Sequence, residues 1–120
     1  MNETKINVAI TDDHQMVLDG LQLIVLQEPK LNLVGTANNG QEVLDLLSKG
    51  KVDILLLDIN MPVMNGIDTM KIISKEYPDV KVLGLSMLDD RIVIRQLLKY
   101  GAKGFLLKNS GKEKIVEAIL

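Results

Sequence analysis

Near the middle of the chain the sequence reads DILLLD, from residue 53 to residue 58. Four consecutive apolar residues stand between two acidic ones, without the alternation of a strand that has one face in water. A short, uninterrupted apolar run is typical of a parallel strand covered on both sides. This stretch therefore predicts the central strand of a parallel sheet, with Asp58 at its carboxyl end.

Four further apolar segments flank this strand at regular intervals, and residues at helical spacing separate them. The five predicted strands cover residues 5–11, 31–36, 53–58, 80–86 and 103–107. Strands that alternate with helices imply right-handed crossovers and a parallel sheet covered on both faces. We therefore expect an α/β fold with a doubly wound, five-stranded parallel sheet, the flavodoxin-like (βα)5 arrangement with strand order 2-1-3-4-5.

Each predicted helix carries an apolar stripe that would pack on the sheet. Ser110 is a candidate cap of the last helix, which has only about two turns before Leu120 and no glycine to end it. We therefore expect the natural chain to continue. The stripes comprise Val17, Leu21, Ile24 and Val25; Val43, Leu46 and Leu47; Ile67, Met70 and Ile73; Ile94, Leu97 and Leu98; and Ile115 and Ile119.

Composition fits one ordinary globular domain over residues 1–120, with 47% hydrophobic and 25% charged residues. The net charge of -2 and the lack of a basic run argue against nucleic-acid binding by this segment. The chain has no cysteine, which fits a reducing compartment, and no export signal or apolar run of membrane-spanning length. We expect it to be cytoplasmic, with no membrane partner.

Polar side chains lie at or just past the carboxyl ends of four of the predicted strands, where ligands bind in such sheets. These are Asp12 and Asp13, Asp58, Ser86 and Lys108. Three carboxylates at one place repel each other unless a cation neutralises them, and a site with only oxygen ligands suits Mg²⁺. A carboxylate, a metal, an ammonium and a hydroxyl are sufficient for phosphoryl transfer, which needs mainly positioning and charge stabilisation.

These residues resemble the receiver domains of two-component response regulators over the whole chain. The resemblance rests on TDD at residues 11–13, on DINMPVMNG at residues 58–66, and on the spacing of Ser86, Phe105 and Lys108. Asp13-His14 and the stretch GAKGFLLK at residues 101–108 are similar to the NarL/FixJ subfamily. The resemblance implies a signalling phosphoacceptor rather than an enzyme acting on a separate substrate.

By that resemblance, Asp58 accepts the phosphoryl group from a phosphohistidine of a sensor kinase. Mg²⁺ would be held by Asp12, Asp13 and Asp58 and by the backbone carbonyl of Asn60. Ser86 and Lys108 would hold phosphoryl oxygens.

By the same resemblance, Phe105 would be the aromatic residue that changes position when Asp58 is phosphorylated. Burial in the core explains a lone phenylalanine equally well.

The chain departs from the common receiver pattern at Asn109, where proline is frequent, so we expect a trans peptide bond before Asn109. His14 is the only histidine, and we expect it to be a solvated residue at a helix start rather than a catalytic one.

Three other functions compete with this interpretation. The first is a haloacid-dehalogenase-type phosphatase, which needs a second aspartate where Asn60 stands. The second is a nucleotide- or flavin-binding domain, but no glycine-rich phosphate-binding loop follows the first strand. A receiver-like domain that binds partners without phosphorylation is the third. Taken alone, Asp12-Asp13 could also be a helix cap, and Asp58, Ser86 and Lys108 ordinary residues of strand ends and surface.

The resemblance also implies partners. Relatives in the NarL/FixJ subfamily carry a helix-turn-helix domain after a linker, so we expect DNA binding only through a C-terminal domain absent from this chain, and a homodimer on phosphorylation.

Overall fold

The structure is a computed structural model that describes residues 5–59, 66–86, 91–108 and 111–120. Strands and helices alternate within these ranges. In chain order they are β1 (Ile6–Thr11), α1 (Gln15–Gln27), β2 (Leu31–Ala37), α2 (Gly40–Lys49), β3 (Ile54–Asp58), α3 (Gly66–Glu76), β4 (Lys81–Ser86), α4 (Arg91–Lys99), β5 (Gly104–Leu107) and α5 (Lys112–Ile119).

The five strands form one parallel sheet in the order β2-β1-β3-β4-β5, as the sequence predicts. The strand order reverses direction between β1 and β3, because the chain first winds towards β2 and then returns past β1. The carboxyl ends of β1 and β3 therefore lie side by side at this switch point, where open α/β sheets bind their ligands.

Helices cover both faces of the sheet, and β3 contributes side chains alternately to each. Leu55 and Leu57 pack with helices α2, α3 and α4, whereas Ile54 and Leu56 pack with α1 and α5. All residues of β3 are buried, which explains why its sequence does not alternate. In the part of the chain that the structure describes, no helix is long and apolar enough to span a membrane.

Some sequence predictions are corrected in detail. Each predicted strand differs from the observed one by one residue at one of its two ends; Asp53, for example, precedes β3 and accepts a hydrogen bond from the backbone N–H of Asn7. Leu98 was wrongly placed on the buried stripe of α4: it is 42% exposed, because a residue directly after the buried Leu97 points about 100° away around the helix. Ser110 lies outside the described residues.

Candidate functional site

Hydrogen bonds between neighbouring strands fix the backbone at the carboxyl edge of the sheet. The N–H of Asp12 donates to the carbonyl of Ala37 at 3.1 Å, and that of Lys108 donates to the carbonyl of Ser86 at 2.8 Å. Hydrogen bonding between neighbouring strands thus continues to the residues directly after β1 and β5. This edge positions Asp12, Asp58 and Lys108 so that their side chains meet.

The Lys108 ammonium bridges two buried carboxylates. Its Nζ lies 2.9 Å from Oδ2 of Asp12 and 3.0 Å from Oδ2 of Asp58. The side chains of Asp12, Asp58 and Lys108 are 0%, 1% and 3% exposed, respectively. Burial of two carboxylates is costly unless a cation compensates them, so Lys108 supplies charge that this arrangement requires.

Two opposing effects act on the pKa of Lys108. Burial by itself lowers it, because a charged ammonium is poorly solvated there. Hydrogen bonds and charge attraction from Asp12 and Asp58 together outweigh burial and hold the pKa above its ordinary value. Lys108 is therefore a protonated cation at this edge.

Asp12 is anchored through its side chain and its backbone. Its Oδ1 accepts the backbone N–H of His14 at 2.8 Å, and its carbonyl accepts the Asn38 side-chain amide at 3.2 Å. Asp12 is not the cap residue of α1, a position that His14 occupies. The alternative that Asp12 is a helix cap is therefore wrong, because one oxygen of its carboxylate accepts the N–H of His14, which precedes the helix, and the other contacts Lys108.

His14 was missed as a site residue by the sequence prediction. Its ring is 60% exposed, as expected, but Nδ1 lies 3.2 Å from Oδ1 of Asp12 and 3.3 Å from Oδ1 of Asp13. Nδ1 also lies 3.4 Å from Nζ of Lys108. The signal was present in the sequence, because the only histidine directly follows the acidic pair at a strand end.

The acidic residues form a group with the donor chemistry of a metal site. Potential ligand atoms of Asp12, Asp13, His14 and Asp58 all lie within 4.8 Å of one another. Asp13 is the more open of the paired aspartates, with its side chain 31% exposed. Carboxylate oxygens in such a cluster fit a hard divalent cation such as Mg²⁺. Asn60, whose carbonyl was predicted to join this set, lies outside the described residues.

Ser86 and Phe105 lie on adjacent strands but in different environments. Ser86 ends β4 and is buried, whereas Phe105 in β5 is 38% exposed. The alternative that Phe105 is a core residue is therefore wrong. In the register of the two strands, Phe105 is opposite Gly84 and Leu107 is opposite Ser86. A switching role for Phe105 stays a prediction, as does the trans bond before Asn109, which lies outside the described residues.

Gly66 fits tightly behind the end of β3. Its N–H donates to the carbonyl of Ile59 at 2.9 Å. A Cβ at this position would lie 2.6 Å from the carbonyl oxygen of Asp58 and 2.7 Å from the Cα of Ile59. Only glycine allows this approach without moving the backbone that carries Asp58.

Known proteins similar to this chain include transcriptional regulatory proteins. The chain is 40% identical over 119 residues to the transcriptional regulatory protein DegU of Brevibacillus brevis, covering 99% of this chain and 50% of that protein. It is 39% identical over 115 residues to the transcriptional regulatory protein LnrK of Bacillus subtilis, covering 96% and 52%. The chain thus spans about half the length of these relatives.

A solved structure of a receiver domain is similar to this chain in both fold and sequence. The signal receiver domain of NarL from Mycobacterium tuberculosis superposes with a TM-score of 0.93 and 32% identity, covering 98% of this chain and 94% of that one. The resemblance to the NarL-type subfamily is thereby confirmed. The family model described as the response regulator receiver domain matches residues 8–120. With its fold and its acidic strand edge, the chain belongs to the response regulator receiver domain family.

Proposed function

We propose that Asp58 accepts a phosphoryl group in a reaction that depends on Mg²⁺. The observation that carries this proposal is the contact between Lys108 and Asp58, at 3.0 Å in a setting closed to solvent. A carboxylate at a strand end is available as a nucleophile only if it is ionised, and the Lys108 ammonium stabilises the ionised form.

The proposed reaction transfers a phosphoryl group from a phosphohistidine to Asp58. An oxygen of the Asp58 carboxylate attacks the phosphorus of a phosphohistidine on a sensor kinase. The new O–P bond forms as the P–N bond breaks, and the bonding electron pair stays on the donor imidazole. No general base is needed, because the attacking carboxylate carries no proton.

The other site residues are proposed to bind the phosphoryl oxygens or the metal that neutralises their charge. Mg²⁺ would be held by Asp12, Asp13 and Asp58, with Asn60, and would neutralise negative charge on the phosphoryl oxygens. Lys108 would bind one of those oxygens, and the position of its Nζ beside the Asp58 carboxylate supports this role. Ser86 would donate its hydroxyl to another, and Phe105 would respond to that movement.

The output of this switch is proposed to be transcription control. The relatives DegU and LnrK are transcriptional regulatory proteins about twice as long as this chain. We infer that residues 1–120 are the receiver of a longer protein whose C-terminal helix-turn-helix domain binds DNA, and that phosphorylation promotes a homodimer. Its kinase and DNA partners would place it in the cytoplasm.

Phosphorylation from a small donor tests this proposal. The chain is incubated with acetyl phosphate and Mg²⁺, and its intact mass is measured. We expect a gain of one phosphoryl group that hydroxylamine removes, in the wild type and in the control Asp45→Asn, an exposed carboxylate of α2. Asp58→Asn should gain none. A wild type without any adduct would instead support the phosphorylation-independent class, and catalytic turnover of phosphate esters would support the phosphatase class.

A further inference from the structure

The ring nitrogen Nδ1 of His14 faces the acidic cluster rather than bulk solvent. Carboxylate oxygens of Asp12 and Asp13 lie 3.2 and 3.3 Å from it. The backbone sets this placement, because the His14 N–H is bound by Oδ1 of Asp12 at 2.8 Å and its carbonyl accepts the N–H of Leu18 at 3.0 Å. His14 is thus fixed between the end of β1 and the first turn of α1.

These separations match those between neighbouring ligands of one metal ion. Ligands about 2.1 Å from an octahedral ion lie about 3 Å apart when adjacent and about 4.2 Å apart when opposite. Nδ1 of His14 lies close to the adjacent spacing from two aspartates, whereas the limit of 4.8 Å for the whole group including Asp58 is wider than the opposite spacing, so the side chains would close slightly around one ion. Nζ of Lys108 also lies 3.4 Å from this nitrogen.

We propose that His14 is a nitrogen ligand of the divalent metal in this pocket, and that it extends the pocket's preference from Mg²⁺ to transition-metal ions such as Mn²⁺ and Co²⁺. The proposal rests on the metal dependence proposed above. Imidazole adds little for Mg²⁺, which prefers oxygen, but it strengthens binding of Mn²⁺ and especially Co²⁺. The ring is 60% exposed, so it can bind without the loss of a packing role.

Spectroscopy of bound Mn²⁺ tests the ligand directly. The chain is loaded with Mn²⁺ in mildly alkaline buffer, and pulsed electron paramagnetic resonance records coupling to nitrogen. We expect imidazole ¹⁴N coupling in the wild type and its loss in His14→Ala. The control Gln15→Ala should keep the coupling, because the Gln15 amide donates to Asp19 on α1 rather than to the acidic group.

Affinities measured by calorimetry supply the second readout. His14→Ala should weaken Co²⁺ binding by about tenfold and change Mg²⁺ binding by less than about twofold. Bound Mn²⁺ without nitrogen coupling in the wild type, or equal losses for both ions, would overturn the role of His14 alone. Failure of every divalent ion to bind would overturn the proposed metal dependence as well.

Discussion

The Lys108 ammonium lies 3.0 Å from Oδ2 of Asp58, and both side chains are almost fully withdrawn from solvent. The same ammonium contacts Asp12 at 2.9 Å. Two carboxylates thus share one cation. Their burial at the carboxyl edge of the sheet has a cost in stability that Lys108 offsets.

Removal of the Lys108 charge should destabilise the fold. Lys108→Met leaves two buried carboxylates without their shared cation, and breaking a buried ion pair in this way costs about 3 kcal/mol. Urea unfolding near neutral pH measures the difference. Lys103→Met, which removes an exposed lysine just before β5, is the control and should change stability by less than about 0.5 kcal/mol. Equal stability of the two variants would contradict the role of Lys108.

The contribution of Lys108 to the free energy of unfolding should be lost at strongly alkaline pH. Because its pKa is raised in the folded state, its stabilisation is fully present below the unfolded-state value, about 10.4, and is lost as the pH rises through the higher folded-state pKa. The difference in unfolding free energy between the wild type and Lys108→Met should therefore shrink above about pH 10.5. Unfolding curves at a series of pH values measure this, and a difference that does not change into strong alkali would refute it.

Replacement of Gly66 by alanine should lower the stability of the fold. A Cβ there would overlap backbone atoms of Asp58 and Ile59, so Gly66→Ala should cost about 1–3 kcal/mol and slow phosphorylation. Gly20→Ala is the matched control, because no atom lies within 4 Å of its added Cβ and alanine favours a helix. We expect this control to be stabilised by about 0.5–1 kcal/mol. Similar effects of the two substitutions would show that the close approach at Gly66 is unimportant.

Phe105 should report the switch. It is the only phenylalanine in the chain, so incorporation of fluorophenylalanine gives a single ¹⁹F label on β5. Addition of Mg²⁺ and beryllofluoride, which mimics a phosphoryl group, should shift that label's resonance as the exposed ring moves inward. Asp58→Asn should abolish the shift. An unchanged resonance in the wild type, with bound beryllofluoride verified separately, would exclude the switching role.

The fold could be predicted well because the clearest pattern in the sequence, the apolar run of β3, is also what drives burial of the central strand. The apolar run of β3 is buried on both faces, and polar residues lie at or just past the carboxyl ends of β1, β3, β4 and β5. Strand order follows from the same alternation of strands and helices. Asp12, Asp13, Asp58 and Lys108 converge as the positions of these strand ends require.

The remaining details depend on tertiary contacts that no local pattern encodes. Leu98 is as apolar as Leu97, and only the packed helix shows which of them faces the sheet. The sequence suggested that His14 is a solvated residue at a helix start, whereas in the structure its Nδ1 lies 3.2 Å from Oδ1 of Asp12. The exposure of Phe105 likewise depends on the face of β5 that meets the helices.

Chemical trapping of the phosphorylated residue tests the central proposal most directly. The chain is phosphorylated with acetyl phosphate and Mg²⁺, reduced with borohydride, digested, and sequenced by mass spectrometry. Borohydride converts an aspartyl phosphate to homoserine, so we expect homoserine at position 58 and unmodified aspartate at positions 12 and 13. Homoserine at another aspartate, with position 58 unmodified, would contradict the assignment of Asp58 as the phosphoacceptor.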